Sequence, residues 1–268
     1  MQVEAAAGVV LRASVAGDGE PLVLVHGSFD DLHAWDRVVP LLSDGFRVVA
    51  YDRRGHGRST CPPGQGRIDE DVDDLAAVVG ATCGGSAHVA GHSYGATTAL
   101  LLGARSPQRC RSITVHEPPL FGLLPDGLRR AAAADAARAA ELIDSGAVEE
   151  GVRHFVTTVG FGPGVWDDVL DDAQRRSFVA HAPTWLDQHR DPSRLAVDVS
   201  ALAATGVPVT ITEGDAGLPH YPPVMEALGT ILPDARRAAV EGAGHAPHLT
   251  HPERWAALVR ETTARSRR

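Results

Sequence analysis

Five residues, Gly91-His92-Ser93-Tyr94-Gly95, constrain what this chain can fold into more than any other feature. They lie between an apolar run at 86–90, which predicts a strand, and an Ala/Leu-rich run at 96–104, which predicts a helix. A strand that becomes a helix within so few residues must bend sharply, and glycines at both ends remove side chains that would clash in the bend. The turn lifts the Ser93 hydroxyl clear of the sheet. It also sets Ser93 at a helix N-terminus, where unpaired backbone N–H groups favour developing negative charge. G-x-S-x-G in this strand–turn–helix context is the pattern of an exposed serine nucleophile.

The same rhythm runs through much of the chain. Apolar runs at 9–15, 21–25, 46–51, 86–90, 112–116, 207–212 and 236–240 read as strands. Helical spacing at 33–42, 69–79, 96–104, 222–232 and 252–265 alternates with them, as βα units on a mostly parallel sheet require. From 120 to 205 the rhythm changes and no clear strand is visible. Helical patterns at 127–144, 147–158 and 172–188 fill this stretch, with a break at 160–164 around Pro163. The division expected is a core made of 1–119 and 206–268, with a helical cap at 120–205 laid over the carboxyl edge of the sheet.

Composition bounds the partners. The 268 residues carry a formal net charge of -9, which argues against nucleic acid or an anionic membrane as partner. The closing Arg267 and Arg268 read as a chain end rather than a binding site. No apolar run reaches the roughly 18 residues of a membrane helix, and the opening residues show no basic region followed by an apolar stretch. The three cysteines, Cys61, Cys83 and Cys110, have no metal or redox spacing and read as separate thiols. A cytoplasmic protein acting on a small molecule is expected, with no metal and no cofactor, since neither G-x-G-x-x-G nor a Walker pattern occurs. Oligomeric state cannot be read from the sequence.

A serine hydroxyl needs a base. Among 13 histidines, His245 stands apart because Gly242 and Gly244 precede it in a loop after the last predicted strand, so it can reach over the sheet edge. His248 and His251 are local competitors that more naturally pack or face solvent. The imidazole needs a carboxylate to fix its tautomer. Asp215, just beyond the strand at 207–212, is the preferred acid. Glu213 is adjacent but should point elsewhere by strand alternation. Glu117, at the end of the strand at 112–116, is the alternative. Oxyanion donors are expected from the backbone amides of Ser28 or Phe29, after the strand at 21–25, and of Tyr94. His26 reads as a buried structural hydrogen-bonder. Phe29, Trp35, Tyr94, Phe155, Phe161, Trp166 and Trp185 are candidates to line an apolar substrate pocket, although each lid aromatic can equally pack the lid on the body.

Taken together, His26-Gly27-Ser28-Phe29, the segment Tyr51-Asp52-Arg53-Arg54-Gly55-His56-Gly57-Arg58-Ser59, Gly91-His92-Ser93-Tyr94-Gly95 and Gly244-His245 resemble the α/β-hydrolase superfamily, in the alpha/beta fold-1 hydrolase group. The resemblance implies an α/β fold with an eight-stranded sheet, one early antiparallel strand and an inserted helical lid. It implies that Asp52, Arg53 and His56 are scaffold. One departure matters. Many relatives place a glycine, two further residues, the acid and then a proline; here Asp215 and Pro219 keep the acid-to-proline spacing, but the glycine sits directly before the acid. If Gly214 is that glycine, the acid position falls on Gly217 and is empty, and Glu117 takes the role. The chemistry implied is hydrolysis of an ester, thioester, lactone or related carbonyl through an acyl-enzyme. A non-hydrolytic cyclase or lyase using His245 and a carboxylate for proton transfer is the alternative, and a binding protein with a relic triad the remaining one.

Overall fold

Short runs of valine, leucine and isoleucine, too short for helices, become the sheet. In a computed structural model that describes all residues except Ala7, Pro63, Gln65, Arg267, Arg268 and the Leu195 side chain, they form β1 (Gln2–Glu4), β2 (Val10–Ala16), β3 (Glu20–Val25), β4 (Phe46–Tyr51), β5 (Ala87–His92), β6 (Cys110–His116), β7 (Val209–Gly214) and β8 (Arg236–Val240). The eight strands make one sheet in the order β1-β2-β4-β3-β5-β6-β7-β8. Only β2 runs against the others, antiparallel to both β1 and β4, while every other pair is parallel. The expected architecture is therefore met. β1 is the strand the sequence did not show, because three residues carry no periodicity.

Both faces of the centre are covered, so β3 reads as a continuous apolar run rather than an alternating one. Val23 and Val25 point to one face, toward Leu75 and Val79 of α2 (Ile68–Thr82) and Leu100 of α3 (Tyr94–Arg105). Leu22 and Leu24 point to the other, toward Leu42 of α1 (Val39–Leu42) and Trp255 and Val259 of α10 (Pro252–Arg265). The helix expected over 33–42 is instead a 3-10 turn, Leu32–Trp35, followed by α1.

Between β6 and β7 the described residues contain no strand. They form α4 (Asp126–Asp144), α5 (Val148–Phe155), two π-helical turns at Val156–Gly160 and Val165–Val169, α6 (Asp172–Ala180) and α7 (Ala182–His189). The single helix expected over 172–188 is broken, because Pro183 has no N–H to continue the ladder and must open a new helix. His181 at the junction ties this segment to the rest of the chain. It accepts from Gly57 N at 2.8 Å through Nε2 and donates through Nδ1 to Phe29 O at 2.6 Å. These helices share an apolar cluster of their own, entered by the Phe29 ring, which stacks on Trp185 at 5.3 Å and meets Phe155 edge-on at 5.1 Å. After β7 come α8 (Tyr221–Ile231) and, beyond β8, α9 (Pro247–Thr250). Arg267 and Arg268 lie outside the described residues. Cys61, Cys83 and Cys110 are unbridged, and no helix among the described residues is long and apolar enough to cross a membrane.

Candidate active site

Among the described residues, three non-glycine residues have a left-handed backbone, and all three stand at the carboxyl edge of the sheet: Phe29 (φ 65), Ser93 (φ 53) and Glu117 (φ 42). Such conformations are costly and persist where the surrounding structure enforces them. Ser93 (ψ -123) is the bend between β5 and α3. Its N–H is held by His116 O at 2.9 Å, and its own carbonyl accepts from Ala96 N and Thr97 N. The flanking glycines are steric necessities. A Cβ on Gly95 would collide with the carbonyls of Val25 and His26, and one on Gly91 with Gly95 and Ala96.

His245 follows β8 in a loop whose Gly242 has φ 74. Its ring is buried, stacked on Tyr221 at 4.3 Å and tilted against His92 at 4.6 Å. His92 Nε2 donates to His245 O at 2.7 Å, which joins the serine bend to the histidine loop. The carboxylate on His245 belongs to Glu117: Nδ1–H donates to Oε2 at 2.7 Å, and Glu117 Oε1 accepts from Gly214 N at 2.9 Å. Burial pushes the Glu117 carboxyl up and the His245 imidazole well below its ordinary value, with His220 adding to the latter. The neutral ring at pH 7 therefore holds its proton on Nδ1 and presents Nε2 as an acceptor.

The preference for Asp215 is corrected here. β7 extends to Gly214, so Asp215 leaves the sheet into solvent, and its Oδ1 accepts from Gly242 N at 2.7 Å rather than meeting the imidazole. A Cβ built on Gly217 would lie 3.7 Å from Glu117 Oε1 and 3.9 Å from Oε2, in a backbone without positive φ. Gly217 is therefore the position from which an acid on the β7 side would reach this place, and it has no side chain. Glu117 supplies the carboxylate from β6 instead.

Tyr221, the first residue of α8, was not found from the sequence. Its hydroxyl lies 3.2 Å from His245 Nε2 and 3.3 Å from Val159 O, and its one proton can serve only one of them at a time. Burial keeps that phenol protonated, raising it well above its ordinary value. Ser93 Oγ makes no hydrogen bond among the described residues. A tyrosine shortly after a strand carries no motif, so no sequence signal marked it.

Ser93 opens into a cavity of about 290 Å³. Ala132, Ala133, Ala136 and Ala137 of α4 form one wall, with Phe121, Phe155, Val159 and Trp185 around it. Of the expected lining aromatics, Tyr94, Phe155 and Trp185 are there. The other four pack elsewhere. Phe29 joins the cluster of the helices between β6 and β7, Trp166 is buried in the same cluster, and Phe161 sits edge-on to His245 at 5.3 Å. Trp35 stacks on Trp255 at 5.1 Å beneath the sheet. Ser28 lines the cavity. The amides of Phe29 and Tyr94 have no backbone acceptor among the described residues, and that of Tyr94 is the first of its helix.

The Asp52–Ser59 loop is internally bonded. Asp52 accepts from Leu32 N and Arg58 N, both at 2.9 Å, and Arg53 pairs with buried Asp71 at 3.0 Å. His26 Nε2 accepts from Arg53 N at 2.9 Å, and His56 Nδ1 donates to Arg54 O at 2.9 Å. Among the described residues, two groups place metal-ligating atoms within 4.8 Å of one another: His116, Glu117 and His245, and Asp30, His92 and His248. The first is committed to its own hydrogen bonds, since His116 also bonds Thr212 and Gly244. In the second, Asp30 Oδ2 and His92 Nδ1 face each other at 3.9 Å, and among the described residues neither these atoms nor the two His248 nitrogens have a hydrogen-bond partner. Burial holds both imidazoles neutral and raises the Asp30 carboxyl.

Residues 22–258 match the profile of the Alpha/beta hydrolase family. A pimeloyl-[acyl-carrier protein] methyl ester esterase of Neisseria meningitidis is 27% identical over 256 residues, 93% of this chain and 78% of that protein. A dihydrolipoyllysine-residue acetyltransferase component of an acetoin cleaving system from Pseudomonas putida is 38% identical over 97 residues, 36% of this chain. The chain spans only 26% of that relative's length. A thermophilic esterase from Thermogutta terrifontis has the same fold at a TM-score of 0.82 and 22% identity, covering 99% of this chain and 98% of that one.

Proposed function

Since the chain belongs to the alpha/beta hydrolase family, we propose that it is a serine hydrolase in which Ser93, His245 and Glu117 act as nucleophile, base and acid. The observation that carries this reading is the 2.7 Å bond between buried Glu117 and His245 Nδ1. It leaves Nε2 as a base at the edge where the strained Ser93 bend stands. His245 takes the Ser93 proton as Oγ attacks a carbonyl carbon. The amides of Phe29 and Tyr94, with Ser28 as neighbour, hold the developing oxyanion. The imidazolium formed is stabilised by Glu117 and returns its proton to the leaving group. Water activated by His245 then cleaves the acyl-enzyme. Tyr221 must release Nε2, and Val159 O, 3.3 Å away, is the acceptor to which its proton can turn.

The cavity favours a small ester, thioester or lactone with an apolar body, and segment 120–205 acts as a cap closing over it. The unbridged cysteines suit a reducing cytoplasm. The test is mass spectrometry after treatment with a fluorophosphonate probe, alongside turnover of a panel of acyl esters. Labelling at Ser93, abolished in Ser93→Ala together with turnover, is the expected result. An unlabelled Ser93 with turnover intact refutes it.

One observation favours a second reading. His245 Nε2 meets Tyr221 rather than Ser93, as in an enzyme that uses His245 and Glu117 for proton transfer in a cyclisation or lyase reaction. Ser93→Ala separates the two with the true substrate. A covalent route loses on the order of 10⁶ in rate by analogy with serine proteases, and a proton-transfer route only modestly.

A further inference from the structure

The cavity that holds Ser93 is not apolar throughout. At the end of α7, Gln188 is 2% exposed, and among the described residues both its Oε1 and its Nε2 lack hydrogen-bond partners. It lines the cavity together with His189 and Arg194. An amide buried with neither atom paired is rare in a folded protein and calls for an explanation, one of which is a group that it binds.

The neighbours set the chemistry of that group. Arg194 donates through Nη2 to His189 Nδ1 at 2.9 Å and through Nε to His189 O at 3.3 Å. His189 is stacked on Trp185 at 5.0 Å, and burial with the adjacent arginines lowers its pKa to about 4. It is therefore neutral at pH 7, and with Nδ1 accepting from Arg194 its proton sits on Nε2. No carboxylate lies within 4 Å of the Arg194 guanidinium among the described residues. The acid that acts on it, Asp191, is bonded to Ile68 N, Ser193 N and the Ser193 hydroxyl. The Tyr94 hydroxyl is buried with no hydrogen-bond partner among the described residues, its ring lying under Arg53 at 4.3 Å. The set offers N–H and O–H donors around the Arg194 guanidinium, while Arg129, the second arginine lining the cavity, is paired with Asp126. A cationic ligand would meet the guanidinium, and an alkyl chain would leave the Gln188 amide unpaired.

We propose that Gln188 and Arg194, with His189 and Tyr94 beside them, form a carboxylate subsite, so that the substrate is an ester, thioester or lactone carrying a carboxylate away from the scissile carbonyl. The proposal rests on the reading of Ser93 as the nucleophile and names the substrate class of that site. The carboxylate accepts from the Gln188 amide and from the guanidinium, while the alanine face of α4 covers the chain between the two ends. A local cation is needed because the chain as a whole carries a net charge of -9 and repels anions at long range.

The experiment compares p-nitrophenyl monoesters of straight-chain dicarboxylic acids of graded length with alkanoate esters of the same lengths. The wild type should prefer the carboxylate ester at one length by about 10- to 100-fold in kcat/KM. Gln188→Leu and Arg194→Met should each lower the charged-to-neutral ratio about 10-fold, with Arg194→Lys retaining part of it. A ratio near one at every length, or variants that lower both series in parallel, overturns the subsite. Calorimetry with the free dicarboxylic acids reads the subsite without catalysis. Binding weakened about 10-fold in Arg194→Met supports it, and absence of binding to the wild type overturns it. Failure of Ser93 labelling, with dicarboxylate binding intact, would remove the nucleophile and leave the subsite standing.

Discussion

Exchanging Glu117 and Gly217 tests the assignment of the acid most directly. Glu117→Gly removes the carboxylate from His245 and relieves a left-handed backbone at φ 42, a conformation glycine adopts freely. The cost to the proposed reaction follows from the bond it breaks. An imidazolium forming about 4 Å from a carboxylate gains about 4 kcal/mol at an effective dielectric of about 20. That corresponds to about 10³-fold in rate at about 1.4 kcal/mol per decade, and loss of the fixed tautomer adds to it. We therefore expect kcat/KM on an activated ester to fall about 10³- to 10⁴-fold, with Glu117→Gln behaving similarly. Adding Gly217→Asp puts a carboxylate where a Cβ stands 3.7 Å from the former Oε1 position, without backbone collision. The double variant should recover about 10-fold or more over Glu117→Gly. Gly217→Asp alone places two acids at one imidazole and should gain nothing. Steady-state kinetics, with circular dichroism melts to establish folding, are the assay. A folded Glu117→Gln that loses less than about 10-fold, or a folded double variant no better than Glu117→Gly, refutes the reasoning.

Tyr221→Phe removes the hydroxyl that meets His245 Nε2 at 3.2 Å. Fluorophosphonate labelling of Ser93 should quicken about 5- to 10-fold, the worth of about 1 to 1.5 kcal/mol for one competing hydrogen bond. Slower labelling would show that the phenol holds the imidazole in place. Burial lowers His26, His56, His92, His116, His245 and His248, with His116 brought to about 4. Below the ordinary 6.5 the unfolded chain binds protons that the native one refuses, so stability present above pH 6.5 is lost as pH falls toward 4. His116 alone is worth about 3 kcal/mol over that window, against the opposite contribution of the raised Asp30 and Glu117 carboxyls, and urea midpoints that fall between pH 7 and about pH 4 as much in His116→Gln as in the wild type would contradict it. Gly95→Ala sets a methyl against the Val25 and His26 carbonyls, which cannot move without breaking the sheet edge. A loss of about 3 kcal/mol or failure to fold is expected, and a denaturation midpoint unchanged from the wild type would show that the bend has room.

The serine bend was legible in the sequence because a strand, a glycine pair and a helix within a few residues allow one local geometry. The alternating apolar runs and the strandless stretch from 120 to 205 were legible for the same local reason, since burial on both faces of a sheet writes itself as an unbroken apolar run. What pairs with His245 was a different kind of fact. Asp215 and Glu117 both end strands, and nothing local says which carboxylate crosses to a histidine far along the chain. The answer lay in how far β7 runs before it leaves the sheet, and in a glycine at 217. Tyr221 over the imidazole, Phe29 turned into the helical cluster, and Gln188 buried without a partner likewise belong to packing between distant segments. Local propensity fixes the bend and the strands, whereas a contact across the sheet edge depends on the length and direction of every element that meets there.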